Sequence, residues 1–181
     1  LLPDAPYSPA ALTMAGGMAA LDTVRALGAT RARLDWPNDV MVGAAKLSGV
    51  LAETRGLDPA RPTYVLGIGI NVAQASFPAE LLAERDVTSL RLLGSNASVQ
   101  ATEQVLLQQL ATRLEQLVHD AFRLETDFLA GLALRGEEVR VTTGSEDFEA
   151  RLLGLSLQQG LLLATALGER RLPLEWVRSL G

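Results

Sequence analysis

The hydrophobic positions at the start of the chain recur at roughly helical spacing. They follow Ser8-Pro9, a helix-start signal in which serine caps the first turn and proline suits the first helical position. A helix is therefore predicted over residues 9–27, with Gly28 at its end. Gly16-Gly17 would weaken this helix by about 1 kcal/mol per residue relative to alanine. The pair indicates either close packing of the helix on a sheet, which we favour, or a destabilising pair of residues that the fold tolerates.

The pattern then changes to the period of two that is typical of a half-buried strand, over residues 30–36. A turn at residues 43–45 separates a short apolar run from a second strand over 46–54, and a loop is predicted over 56–62. Residues 64–72 are almost continuously apolar, which predicts a strand covered on both faces. These runs predict a hairpin-like unit followed by a buried strand.

The second half of the chain begins with a long amphipathic pattern and ends in short strands. Thr102 can cap a helix over residues 102–130, with charged residues mostly between its apolar positions. The apolar stripe of this helix consists of Val105, Leu106, Leu110, Leu114, Leu117 and Val118. From Glu137 onward, short strand-like runs alternate with glycines, and Glu169-Arg170-Arg171 is interpreted as a hairpin turn.

These elements predict an α+β fold, with a mixed β-sheet and packed helices over residues 1–133 and a small β-barrel over 134–181. The chain of 181 residues is 48% hydrophobic and can bury such a core. Its formal charge of -5 and scattered basic residues argue against nucleic-acid binding by this segment. The sequence has no cysteine, which excludes disulfides and makes the cytoplasm the default location. No apolar run approaches the ~18 residues of a membrane span.

Candidate chemistry is concentrated on one predicted strand. Side chains alternate between the faces of a strand, so Gly67, Gly69 and Asn71 share one face. Two glycines on one face often mark the close approach of a ligand or of another backbone. The alternative is that they make room for a crossing helix, and the spacing alone does not separate the two.

Two further segments carry polar groups whose meaning is ambiguous in isolation. Lys46 begins the second strand, where the same period places it on one face with Ser48, and a lysine beside a pocket is a point charge for anions. A lysine at a strand start is more often a solvated surface residue. Residues 36–39, W-P-N-D, read on their own as a plain turn, with proline fixing φ and the amide and carboxylate satisfying local backbone groups.

Together, these segments resemble the biotin–protein ligase family. The motifs are W-P-N-D from Trp36, K-L-S-G-V-L from Lys46 and G-I-G-I-N-V from Gly67, in the family's order and spacing. V-T-S-L from Val87 is similar to the family's A-T-S-L, and the tail is similar to the Src-homology-3-like C-terminal barrel of these ligases. The resemblance covers nearly the whole chain and implies a catalytic domain of the biotin and lipoate ligase type, without its N-terminal part, followed by that barrel.

The resemblance implies an activity and a set of site residues. Family members use ATP and Mg²⁺ to convert biotin to biotinyl-5'-adenylate, and then biotinylate a lysine of the biotin carboxyl carrier protein domain of acetyl-CoA carboxylase. Many relatives pair through sheet surfaces, which suggests a homodimer. Lys46 matches the catalytic lysine. The positions that match the biotin and adenylate pocket are Trp36, Asn38, Lys46, Gly49, Gly67, Gly69 and Ile70, and those that match the phosphate and metal site are Asn38 and Asn71.

The sequence departs from the family pattern in two ways. The family's glycine- and arginine-rich adenylate loop is absent, so we expect this chain alone to bind biotin and ATP weakly or not at all and to pair or aggregate through an exposed sheet edge. Asp35 replaces the usual lysine before W-P-N-D and would hurt nucleotide binding unless it points away from the ligand. Two alternatives therefore stay open: a lipoate or octanoate ligase, and an inactive truncated paralogue that acts as a binding module.

Overall fold

The first helix, α1 (Pro9–Ala26), begins at the predicted cap. In the computed structural model, which describes residues 8–55 and 62–181, the Ala11 backbone N–H donates to Ser8 Oγ at 3.1 Å. A Cβ added at Gly16 would lie only 3.0 Å from Val50 Cγ1 on the sheet below. The glycine pair thus allows close packing of helix on sheet, and this interpretation of the sequence is confirmed.

The helix packs on a four-stranded sheet with the strand order β1-β2-β3-β4. Its strands are β1 (Arg33–Asp35), β2 (Asp39–Val42), β3 (Ala45–Arg55) and β4 (Thr63–Ile70). All of these ladders are antiparallel, and the parallel component of the predicted mixed sheet is a single bridge between Lys46 and Val87. Most of the predicted loop, residues 56–61, lies outside the described residues.

Strand β4 is covered on one face only, so the prediction of a strand buried on both faces is wrong. Exposed and half-buried residues alternate along the whole strand. Leu66 and Ile68 pack against the core beneath α1, whereas Val65 on the other face is 47% exposed. The prediction failed because glycine was counted as apolar in residues 64–72, although glycine has no side chain to bury.

The predicted long helix is divided in two. After the short helix α2 (Ala79–Glu84), the chain forms α3 (Val99–His119) and α4 (Ala121–Leu132). Asp120 separates α3 from α4, because its backbone leaves the helical conformation, with φ -151° and ψ 60°, and its carboxylate accepts the Arg123 N–H at 3.2 Å as a new N-cap. The cap of α3 is Ser98 and not Thr102, which is buried and donates its hydroxyl to the Ser98 carbonyl.

The surface of α3 also differs from the predicted apolar stripe. Of the six stripe residues, only Leu117 is buried. Arg113 instead occupies the junction of three helices, where its guanidinium lies 2.6 Å from both Asp22 of α1 and Asp127 of α4. Burial acts to lower the pKa of Arg113, but hydrogen bonds and charge interactions with Asp127 and Asp22 outweigh it and raise that pKa. The ion cluster therefore joins α1, α3 and α4.

The C-terminal part forms a five-stranded antiparallel sheet with the order β8-β7-β6-β5-β9. Its strands are β5 (Glu138–Thr143), β6 (Asp147–Ser156), β7 (Gly160–Thr165), β8 (Gly168–Leu172) and β9 (Val177–Leu180). The predicted turn at residues 169–171 is wrong, because these residues lie within β8. The chain turns earlier, at residues 166 and 167, and Gly168, with a φ of 116°, begins β8. The Src-homology-3-like assignment stays a prediction.

The apolar core continues from the first sheet into the second. Trp36 Nε1 donates to the Val177 carbonyl at 2.8 Å, and its ring packs edge-on against Phe128 of α4 with centroids 6.3 Å apart. A division at residues 133 and 134 stays a prediction, although it falls between the end of α4 and the start of β5. In residues 8–55 and 62–181, no helix combines the length and apolarity needed to cross a membrane.

Candidate functional site

The outer face of β3 and β4 has bare backbone at three glycines, Gly49, Gly67 and Gly69. Gly49 lies opposite Gly69, and Leu51 lies opposite Gly67. An added Cβ would have its nearest neighbour 3.8 Å away at Gly67 and 3.9 Å away at Gly69, in both cases a backbone oxygen. Helix α1 packs on the opposite face, and no helix of the described residues crosses this one. Among the described residues, the space over these glycines is therefore not filled by a crossing helix.

Lys46 reaches this glycine face because of an irregularity in the sheet. Lys46 pairs with Met41 and Ser48 pairs with Val40, so Leu47 is one extra residue on β3. A bulge of this kind breaks the alternation of side chains. The expectation that Lys46 and Ser48 share a face is therefore wrong: Ser48 turns inward and is 2% exposed. The Lys46 side chain lies over Gly49, whose added Cβ would be 3.0 Å from Lys46 Nζ.

Asp39 holds the ammonium group of Lys46 in place. Its Oδ1 lies 2.6 Å from Lys46 Nζ, and the two side chains are 22% and 25% exposed. Asp39 is directly opposite Gly49 in the ladder, so the absence of a side chain there leaves room for the pair. The sequence pattern indicated only a local turn role for Asp39, the last letter of W-P-N-D. Lys46 is also the single lysine of the sequence.

Two asparagines border the site and are fixed by their amide groups. Asn38 Nδ2 donates to the Val50 carbonyl at 2.7 Å, and Asn71 Nδ2 donates to the Thr88 carbonyl at 3.0 Å. The Asn71 backbone also bonds Leu47, so the end of β4 is held on both sides. These bonds use the amide nitrogen of each side chain as the donor. The amide oxygen of each side chain can therefore act as a hydrogen-bond acceptor or metal ligand.

The site consists of a shallow groove and an adjoining cavity. The groove, about 590 Å³, is lined by Asn38, Lys46, Gly49, Leu51, Gly67 and Gly69. The cavity, about 340 Å³, contains Lys46, Gly49 and Gly69 as well, and adds Ile70 and Asn71. Both volumes lie in the range of small-molecule sites, which is roughly 300–1,000 Å³. Lys46 therefore lines both the groove and the cavity.

Trp36 is apart from this groove. It is buried in the core and lines a separate apolar cavity of about 260 Å³ between α1, β3 and β9. Asn38 lines both that cavity and the groove. The structure therefore brings together seven of the eight predicted site residues. Trp36, the eighth, is buried in the core beside a separate cavity.

Asp35, the residue that departs from the family pattern, is neutralised locally. Its Oδ1 accepts from Arg33 Nη1 at 2.8 Å, and both side chains are 40% exposed. Asp35 lies opposite Asp39 at the end of the β1–β2 ladder, but it forms its ion pair with Arg33, whereas Lys46 pairs with Asp39. The negative charge is therefore compensated two residues away, on the same strand.

Comparison with known proteins agrees with the motifs. No protein-family model matches the sequence. The chain is 39% identical to the biotin--[acetyl-CoA-carboxylase] ligase of Mycobacterium tuberculosis over 134 residues, which is 72% of this chain and 47% of that protein. It is 28% identical to the bifunctional ligase/repressor BirA of Bacillus spizizenii over 185 residues, which is 95% of this chain and 54% of that protein. The chain thus spans about half the length of these relatives.

A solved structure shows the same fold. The biotin protein ligase from Aquifex aeolicus in complex with biotin and ATP superposes with a TM-score of 0.76 and 26% identity, covering 95% of this chain and 71% of that one. The apo structure of the same ligase gives a TM-score of 0.75 at 25% identity, covering 95% and 75%. Together with the sequence relatives, these matches show that the chain is similar in sequence to biotin–protein ligases and shares the fold of a solved one.

Proposed function

We propose that this chain carries one wall of the active site of a biotin–protein ligase. The observation that carries the proposal is the position of Lys46, whose ammonium lies over a strip of glycine backbone and is held there by Asp39. An extended, largely apolar acid can lie flat on such backbone, with its carboxylate at the cation. Biotin is such an acid, and the family relationship supports it as the substrate.

In the first step, a carboxylate oxygen of biotin attacks the α-phosphorus of ATP. The new bond is a carboxyl–phosphate anhydride, the bond from the α-phosphorus to the bridging oxygen of the β-phosphate breaks, and pyrophosphate leaves. Two anions must approach each other, so a fixed cation between them offsets their repulsion and the charge that grows in the transition state. Lys46 supplies that cation, and Asp39 keeps it oriented towards the groove.

In the second step, the amine of a carrier lysine attacks the acyl carbon of biotinyl-5'-adenylate. An amide bond forms, the acyl–oxygen bond breaks, AMP leaves, and the ammonium proton is released to solvent. The acceptor that we propose is the biotin carboxyl carrier protein domain of acetyl-CoA carboxylase, with a cytoplasmic location and a homodimer as further parts of the proposal. The open groove along Gly67 and Gly69 leaves the adenylate accessible to such an acceptor.

The residues around the cavity also suit a magnesium ion that arrives with the nucleotide. Mg²⁺ is usually held by one or two protein oxygens together with substrate phosphates and waters. The amide oxygens of Asn38 and Asn71 and the carboxylate of Asp39 are donors of this hard type. When bound, the ion would offset phosphate charge, while orientation of the acid depends on Lys46 and the glycine face.

The proposal is tested by biotin-dependent exchange of labelled pyrophosphate into ATP, using the complete natural protein. We expect exchange with biotin and not with lipoate, and a loss of about 10²–10³-fold in kcat for Lys46→Gln. Arg31→Gln, which removes an exposed cation from a turn, is the matched control and should exchange normally. Exchange with lipoate alone would favour the lipoate ligase alternative. Absence of exchange with either acid would indicate an inactive paralogue and overturn the proposal.

A further inference from the structure

The V-T-S-L segment, residues 87–90, lies against the start of β3. The Lys46 N–H donates to the Asp86 carbonyl, and the Thr88 N–H donates to the Lys46 carbonyl, both at 2.9 Å. These two bonds form the parallel bridge between Lys46 and Val87. Both polar groups of the Lys46 main chain are therefore fixed by this segment.

The same segment also binds Asn71, the residue directly after β4. Asn71 Nδ2 donates to the Thr88 carbonyl at 3.0 Å, and the Leu90 N–H donates to the Asn71 carbonyl at 2.9 Å. Thr88 thus bonds Lys46 through its N–H and Asn71 through its carbonyl. Because Lys46 and Asn71 line one cavity, the main chain of Thr88 helps to set the distance between them.

Ser89, the next residue, anchors this segment from the buried side. It is 0% exposed, and its Oγ donates to the Gln74 carbonyl at 2.6 Å and accepts the Leu92 N–H at 3.1 Å. A serine hydroxyl can make both bonds because it has one donor and two acceptor positions. Among the described residues, those that line the cavity include Val87 but not Ser89. Ser89 can therefore act on the site only through its neighbours.

We infer that Ser89 is a positioning residue, which acts through Thr88 to hold Lys46 at a fixed distance from Asn71. This inference rests on the proposed function. Without the hydroxyl, the main chain around Thr88 loses its anchors at Gln74 and Leu92, and Lys46 can shift with it. A cation stabilises growing charge best when it is already in place, and a misplacement of about 1 Å can cost roughly 10²-fold in rate.

The test is Ser89→Ala in the complete natural protein, measured by biotin-dependent pyrophosphate exchange. We expect kcat to fall about tenfold, a part of the loss that a larger misplacement causes. The KM for biotin should not change, because no hydrogen bond of Ser89 reaches the glycine face. Ser89→Cys is the second variant, and its kcat should lie between those of Ser89→Ala and the natural protein, because a thiol is a weak donor and acceptor.

A double-mutant cycle with Lys46→Gln identifies the residue through which Ser89 acts. Lys46→Gln removes the cation, so there is no ammonium left to misplace. In that background, Ser89→Ala should cause a further loss in kcat of at most about twofold, because residues that act as a unit are not additive. A further loss of about tenfold would show that Ser89 acts on something other than Lys46 and would overturn the inference.

The matched control is Thr143→Val, which removes a comparable hydroxyl from the second sheet. Thr143 is 8% exposed, and its Oγ1 donates to the Glu146 carbonyl at 2.9 Å and accepts the Glu146 N–H at 3.0 Å. Thr143→Val should lower the Tm by an amount similar to Ser89→Ala and keep the natural kcat.

Two results would overturn the inference alone. One is a natural kcat in both Ser89 variants, and the other is a loss of kcat in Thr143→Val as large as that in Ser89→Ala, which would make the effect one of stability. Both results require exchange by the natural protein, so they leave the proposed function standing. Failure of the natural protein to exchange would overturn the inference together with the proposed function.

Discussion

The glycine face allows a test in which stability and ligand binding move in opposite directions. Gly69 lies in the interior of β4, where glycine is about 0.5–1 kcal/mol less favourable than alanine. The Cβ of Gly69→Ala would meet nothing closer than a backbone oxygen at 3.9 Å. We therefore expect this variant to be more stable by about 0.5–1 kcal/mol, which corresponds to roughly 1–4 °C in Tm for a chain of this size.

The same methyl group would occupy the surface on which biotin is proposed to lie. Inserting a methyl group into a well-packed contact costs about 1–3 kcal/mol, which is roughly 5- to 150-fold in affinity. We therefore expect the KM for biotin in pyrophosphate exchange to rise within that range while the Tm rises as well. Gly67→Ala should behave in the same way, because its nearest neighbour would be 3.8 Å away.

Gly154→Ala in β6 is the matched control for this test. It is also a strand glycine with open space, since its added Cβ would be 3.8 Å from the nearest atom, but it lies in the second sheet. It should gain similar stability with no change in the KM for biotin. The reasoning fails if Gly69→Ala is more stable and keeps a normal KM for biotin, because the glycine face would then not be the ligand surface.

Three further predictions concern packing and charge. Gly17→Ala should stabilise α1 by about 1 kcal/mol, and Gly16→Ala should be less stable than Gly17→Ala in urea unfolding, because its methyl would lie 3.0 Å from a sheet side chain against 3.5 Å at Gly17. Trp36→Phe leaves a buried carbonyl of β9 unpaired and should lose about 1–3 kcal/mol of unfolding free energy. A hydrogen bond from Arg170 lowers the pKa of Glu146, so its carboxyl titration by NMR should have a midpoint below the ordinary glutamate value, and Arg170→Gln should raise it. Because the folded pKa is the lower one, this pair stabilises the fold above the ordinary glutamate pKa and loses its effect as the pH falls through the lowered value. Equal stability of Gly16→Ala and Gly17→Ala would contradict the first prediction. An unfolding free energy of Trp36→Phe equal to that of the natural protein would contradict the second. A Glu146 titration midpoint that does not change in Arg170→Gln would contradict the third.

Local sequence patterns were sufficient to predict the helix start at α1 and the two-faced strand β4. Serine and proline at the start of α1 specify its first turn by capping and by a fixed φ, and both depend on near neighbours only. The alternation of Gly67 and Gly69 with apolar residues specified one bare face and one packed face, because the period of a strand is a property of its backbone. The motif order therefore predicted both the strands and the family.

Sequence periodicity failed where a single residue interrupts a regular pattern. The stripe over residues 102–130 continues across Asp120, so nothing in its spacing indicates the break, which depends on the carboxylate capping a new helix. Arg113 is one of the charged residues between the apolar positions of that helix, and it lies between carboxylates of two other helices. Which helices meet is a matter of packing that no local pattern contains.

The sequence by itself determined the components of the site, and the tertiary structure decided how they are arranged. The bulge at Leu47 turns Lys46 away from Ser48 and onto the glycine face, and only strand pairing can reveal it. The same pairing places Asp39 across from Gly49 and within 2.6 Å of Lys46. Burial assigned Trp36 to the core that joins the two sheets. The physical reason is that residue types and periods are local, whereas register, burial and charge pairing arise between segments that are distant in the chain.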